Sequence, residues 1–275
     1  MTNENMKLKQ EEDLKRLQAF RLMDDDFMTA CFDGHPECVQ LILRIIMEKP
    51  DLIVTDLKVQ YSIKNLQKRS VRLDVFATDS KGKRYNIEIQ REDKGAGVKR
   101  ARYNSSLIDS KIMETGTDFD DLPETFVIFI TENDVLGEGE PLYHIERYIT
   151  ESKKVFGDGA HIIYVNGSYR GDNELGRLME DFHCTEPSKM YYNELKERVS
   201  YFKETKEGAA IMCKAIEELV AKEREEGRIE GQQEQLLSLI SKKIEKGKPL
   251  KQIADELEEN IEVILPLYEK ALAKN

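Results

Sequence analysis

At 275 residues the chain is long enough for one fair-sized domain, or one domain with an appendage, built on a core that needs no staples. It is 35% charged and 40% hydrophobic with a net charge of −11, which speaks against nucleic-acid affinity through bulk positive charge but leaves room for a local basic patch. No apolar run approaches membrane-spanning length, and the polar start "MTNENMKLKQEEDLKRL" has no signal-peptide apolar core. The four cysteines, Cys31, Cys38, Cys184 and Cys213, form no C-x-x-C pair, so a reduced, cytoplasmic chain with free thiols is expected.

Taken in order, residues 1–22 read as a solvated helical lead-in. From Phe27 to Met47 the pattern is helical, with Pro36 at a first helical position after a Gly34-His35 break. "CVQLILRII" is apolar nearly all round and should be buried. In "DLKVQYSIK", Leu57, Val59, Tyr61 and Ile63 alternate with polar residues, the period of a half-buried strand. "SVRLDVFAT" and "RYNIEIQ" continue that period. A helix follows, with Val98, Ala101, Ser105, Ile108 and Ile112 on one face. "ETFVIFIT" is continuously apolar, as a strand buried on both faces would be. "PLYHIERYI" and "HIIYVNG" complete a strand pair. The order predicts an α/β domain with a mixed sheet.

Beyond about residue 170 the chain turns helical and charged. "PSKMYYNELKERVSYFKETKEG" and "AAIMCKAIEELVAKEREEGRIEG" read as long helices, and the stretch from "LISKKIEKG" onward as short helical units. Leu250, Ile253, Ala254 and Leu257 share a face, and Gly247 and Asn260 punctuate. Pro266 is expected to break or kink the last segment. The unit around "KPLKQIADELEENIEVI" is expected to be a small helical packing unit, because its exposed face is too acidic for a helix against phosphates.

The hairpin "VRLDVFATDSKGKRYNIEIQ" carries the chemistry. Alternation puts Arg72, Asp74 and Phe76 on one side of the first arm, and Asn86, Glu88 and Gln90 on one side of the second, both nominally outward. Gly82 suits the left-handed position of a three-residue loop, Ser80-Lys81-Gly82. In that register Asp74 faces Glu88, a repulsive pair that a cation would relieve. A two-residue loop would instead put the two acids on opposite faces. The plainer reading is an amphipathic hairpin with a wet face, its acids neutralised by Arg72.

The order helix, three strands, helix with "KRARYNSSL", then "ETFVIFIT", together with "RLDVFATD…GKRYNIEIQ", resembles the PD-(D/E)XK nuclease superfamily. More closely it resembles the transposase-associated, recombination-promoting (Rpn-type) nucleases. The likeness covers about residues 24–185 and implies a restriction-endonuclease-like mixed central sheet flanked by helices, an αβββαβ core, with an all-helical C-terminal extension. It divides the chain into a lead-in (1–22), a nuclease-like domain (23–185) and a charged helical region (186–275). It implies a Mg²⁺-dependent DNA endonuclease (Mn²⁺ or Ca²⁺ being other candidates), linked to mobile elements or recombination. Asp74 matches the first motif acid and Glu88 the second, with the Ile89 carbonyl as a further ligand. Gln90 stands where the wider superfamily has lysine; it can orient water or phosphate but carries no charge. Glu37, in the first turn after Pro36, is the candidate for an acid from the first helix, and Asp33 is the runner-up. Arg72, Lys99, Arg100 and Tyr103 are the candidates for substrate phosphate, with the last three set off the apolar face of their helix. DNA is the expected partner, RNA a weaker one, with no membrane and with self-association through the helical region. The competing reading is a catalytically weak or inactive nuclease scaffold that acts as a binding or regulatory module through its tail.

Overall fold

The computed structural model describes residues 3–63, 71–91, 93–113, 116 and 118–272. Contacts divide the chain into two compact units, Met1–Cys213 and Lys214–Asn275.

The first unit opens with three helices, α1 (Asn3–Ala19), α2 (Asp25–Phe32) and α3 (Pro36–Ile46). Pro36 is at the first position of α3, and Gly34 before it has φ +72°. α1 is helical as expected but not wholly solvated: Leu17, and Leu22 just beyond the helix, are buried. Three strands follow: β1 (Val54–Ile63), β2 (Val71–Asp79) and β3 (Arg84–Gln90). Then come α4 (Val98–Ile112), β4 (Thr125–Thr131), β5 (Leu142–Ile145), β6 (Ala160–Asn166), α5 (Glu174–His183) and α6 (Asn193–Glu204). The sheet order is β1-β2-β3-β4-β6-β5. The β1–β2, β2–β3 and β5–β6 pairs are antiparallel, and β3–β4 and β4–β6 are parallel. The α/β expectation thus holds as a mixed sheet flanked by helices.

Both faces of the sheet are covered. Val75, Ala77, Tyr85 and Ile87 are fully buried on one side. On the other, Phe76, Val127, Phe129 and Tyr164 pack with Ala101, Leu107 and Ile108 of α4. Every residue of the apolar run Thr125–Thr131 is buried, as its composition requires. α4 departs from expectation at its start: Val98 is exposed, while Asn104 is buried.

The hairpin register follows the loop. Val75 pairs with Ile87, Phe76 with Asn86, Ala77 with Tyr85 and Thr78 with Arg84. Gly82 has φ +81°, a backbone region that glycine enters without a Cβ penalty. Asp79 locks the turn: Oδ1 accepts the N–H of Lys81 and of Lys83, both at 2.9 Å, and Oδ2 accepts the Tyr85 hydroxyl at 2.9 Å.

α7 (Lys206–Glu245) runs on as one 40-residue helix into the second unit, so "LISKKIE" belongs to the long helix and is not a separate unit. Gly227 and Gly231 in its middle each cost about 1 kcal/mol against alanine, and the Glu, Arg, Gln and Lys around them are good helix formers. α8 (Leu250–Leu257) and α9 (Ile261–Leu272) close a small core of Ile240, Ile253, Ala254, Ile264 and Ala271. Pro266 lies inside α9 without breaking it. It forgoes one backbone bond, but Ile264 and Ala271 are anchored in that core on either side.

Candidate active site

β2 and β3 separate where the two acids meet. The paired ladder ends at Val75–Ile87, and one step further Asp74 Oδ2 accepts the backbone N–H of Ile89 at 2.9 Å. A side chain replaces the ladder bond, so Asp74 reaches across to the strand that carries Glu88. Asp74 is 7% exposed and Glu88 is 0% exposed. The expected outward face is therefore wrong: strand alternation separates the two faces of a sheet but does not say what covers each, and here α4 lies on the polar one.

Arg100 of α4 is the cation on this pair. Its Nη2 lies 2.6 Å from Glu88 Oε2, and its Nη1 bonds Gln90 Oε1 at 3.0 Å and the Gly95 carbonyl at 2.9 Å. It points into the site, not away from the buried face of its helix as expected. Asn86 Nδ2 donates to Glu88 Oε1 at 3.1 Å. A Cβ at Gly95 would overlap the Gln90 amide, so the turn carrying Gly95 fits against that side chain only as glycine. Tyr164 fixes the same turn by donating to the Ala96 carbonyl at 2.8 Å.

Burial and mutual repulsion set the electrostatics. Asp74 is pushed up to about 8, by loss of water first and by Glu88 second, against the pull of the Ile89 N–H. Burial also raises Glu88, and Arg100 and Asn86 oppose the rise. Two carboxylates against one guanidinium leave negative charge uncompensated.

A third acid bears on Asp74, and it is Asp25, from the first turn of α2. Gln60 stands between Val59 and Tyr61, which pair with Val75 and Leu73 on either side of Asp74. Its Nε2 donates to Asp25 Oδ1 at 2.6 Å and to Thr29 Oγ1 at 2.9 Å. Gln60 has φ +53°, a left-handed conformation that costs about 1–3 kcal/mol in a non-glycine residue. Arg72 Nη2 is 3.6 Å from Asp25 Oδ2. Glu37 is not brought to the pair: it bonds His35 Nδ1 at 2.7 Å and is influenced by Arg198. Asp33 caps the C-terminal end of α2. Lys99 is exposed on α4, and Tyr103 is partly buried against the α4 side of the core. The signal for Asp25 was in the sequence, in the acidic run Asp24-Asp25-Asp26 at the start of a helix.

The donors fit a hard divalent cation. Among the described residues no three His, Cys, Asp or Glu side chains converge as an ion-binding group. The oxygens available to an ion there are those of the two carboxylates and of neighbouring neutral groups. Mg²⁺ is commonly held by one or two carboxylates while it keeps several waters.

Residues 39–168 match the family model described as PD-(D/E)XK nuclease family transposase. This part of the chain is similar to that family. The match spans β1 to β6 and contains Asp74, Glu88, Gln90 and Arg100, but not Asp25. No curated protein and no solved structure matches the chain. No described helix is long and apolar enough to cross a membrane.

Proposed function

We propose that this chain is a Mg²⁺-dependent DNA endonuclease of restriction-endonuclease-like αβββαβ topology, linked to transposition or recombination. The observation that carries the reading is the acid pair: Asp74 and Glu88 buried together beside Gln90, with one arginine against two carboxyl groups. Asp74 and Glu88 would hold the ion with the Ile89 carbonyl; Mn²⁺ or Ca²⁺ suits the same oxygens. When bound, the ion supplies Lewis acidity and neutralises charge developing on the phosphate.

The protein's own residues do the rest. The Ile89 N–H fixes one oxygen of Asp74, and Asn86 fixes one of Glu88. Gln90 has no proton to give up or take at neutral pH, so it orients water or phosphate by neutral hydrogen bonds. Its carbonyl oxygen is held by Arg100, which leaves the NH₂ end as the donor. Arg100 has a side chain 39% exposed, and its guanidinium can turn from Glu88 to a phosphate oxygen, a planar bidentate match. Lys99 and Arg72 add positive charge at the exposed rim, and Tyr103 is a further phosphate candidate on α4. Acids held by an ion and by Arg100 no longer repel DNA at the site itself, and the rest of the net charge of −11 is screened beyond about 8–10 Å at physiological salt.

A second reading is a weak or inactive nuclease scaffold acting as a binding module, with self-association through α7–α9. The uncharged Gln90 and the arginine already seated on Glu88 favour it. Supercoiled plasmid incubated with Mg²⁺, Mn²⁺ or Ca²⁺, with EDTA and Asp74→Ala as controls, separates the two. Metal-dependent nicking lost in Asp74→Ala supports the enzyme; no nicking in any metal supports the module.

A further inference from the structure

Behind the acid pair lie two asparagines that the chemistry above leaves incompletely used. Asn86 and Asn104 are both 0% exposed. Asn86 Oδ1 and both polar atoms of the Asn104 amide have no hydrogen-bond partner among the described residues. Buried polar groups are almost always satisfied, and an orphan costs a large part of its hydration energy. Three orphan atoms in one layer call for a ligand.

The two side chains stand at the same level. α4 runs back along β3, with Arg100 on Glu88 at one end and Asp109 3.5 Å from Thr125, which pairs with Arg84, at the other. From Arg100 to Asn104 the helix rises about 6 Å, and from Glu88 to Asn86 the strand covers about 6.6 Å. Asn104 also sits only about 40° around the helix from Arg100, so both lean to the β3 side. Asn86 joins the layer to the acids, since its Nδ2 already donates to Glu88 Oε1. That bond fixes the orientation of the Asn86 amide, because turning it over would set oxygen against carboxylate.

We propose that Asn86 and Asn104 build an inner hydration site directly beneath Glu88, occupied by at least one ordered water. The ligand class follows from the unmet valences. Two carbonyl oxygens need a donor, and one NH₂ group needs an acceptor. A metal cation would leave the NH₂ orphaned, and an anion would leave both oxygens orphaned. Water meets both needs, and buried waters in proteins typically make about three such bonds. The site does not depend on nuclease activity and stands if the chain cleaves nothing.

The test is water-selective NOE and ROE spectroscopy on the full-length protein with ¹⁵N-labelled asparagine side chains. The expected result is a direct water cross-peak to the Asn104 side-chain NH₂, surviving at a pH where hydroxyl exchange is excluded. No cross-peak, or a direct Asn86–Asn104 amide bond, overturns the proposal. Thermal unfolding of Asn104→Leu gives an independent answer of opposite sign for the two cases. Removing a water-bridged amide lowers the melting temperature, whereas removing an orphaned one raises it. Because Leu can also strain the site, Asn104→Ala is measured beside it; a rise in either variant counts against the hydration site, and a fall in both supports it only together with the water cross-peak, a fall without the cross-peak counting against it.

Discussion

The acid pair makes stability depend on pH in an unusual direction, and Asp74→Asn isolates the effect. A carboxylate whose folded pKa stands above its unfolded value holds its proton more tightly in the folded state. Stability is therefore greatest at acid pH and is lost as pH rises from the ordinary value of 3.8 to about 8. That span is about four decades at about 1.4 kcal/mol each, on the order of 5 kcal/mol for ionising the buried Asp74 carboxyl. Asparagine keeps an oxygen for the Ile89 N–H and removes one charge. That penalty, on the order of 5 kcal/mol, should then largely disappear at pH 8, or about 10–20 °C in melting temperature for a unit of this size. The assay is thermal unfolding in EDTA at pH 5 and pH 8. Wild type should gain on Asp74→Asn at pH 5 and lose to it at pH 8, and a divalent cation at pH 8 should close the gap through wild type alone. A pH-independent difference between the two proteins, or a wild type favoured at pH 8 in EDTA, would refute the reasoning.

Arg100→Met leaves Glu88 buried without its cation; a loss of about 1–3 kcal/mol at pH 8, shrinking at pH 5, is expected in the same assay. Gly95→Ala should push the Gln90 amide aside; its nicking rate should fall to that of Gln90→Ala, with a melting temperature close to wild type because the displaced group is the end of a flexible chain. Lys203 donates to the carbonyls of Gln18, Phe20 and Thr185 at 3.1, 2.6 and 2.7 Å, and burial lowers its pKa to about 8. The folded state thus binds that proton less tightly, so Lys203 makes stability rise between about pH 8 and 10.5. Lys203→Met should abolish that alkaline rise in a melting series while lowering stability throughout, because three carbonyls lose their donor.

The parts of the site fixed by local chemistry were legible in the sequence. Ser80-Lys81-Gly82 determined the hairpin register, because a left-handed position selects glycine and Asp79 closes the turn on both sides. The unbroken apolar run Thr125–Thr131 was enough to mark a strand buried on both faces. The misreadings depend on contacts distant in sequence. Period two could not reveal that α4 would cover Asp74 and Glu88, nor that Arg100 would turn inward to meet them. Glu37 has the usual place of an acid at a helix start, and the dipole rewards it there whatever its job. Asp25 has the same local credentials one helix earlier, and only the distant Gln60, through a strained backbone, ties it to Asp74. Pro266 was read by a local rule that tertiary anchoring of α9 overrides.

The most direct test of the metal-site reading is an anomalous difference map from a crystal of the protein soaked in Mn²⁺ near pH 8. A single peak between Asp74 and Glu88, within about 2.3 Å of an oxygen of each and with Arg100 displaced from Glu88, is the expected result. A map with no peak there, with Arg100 still seated on Glu88, would contradict it.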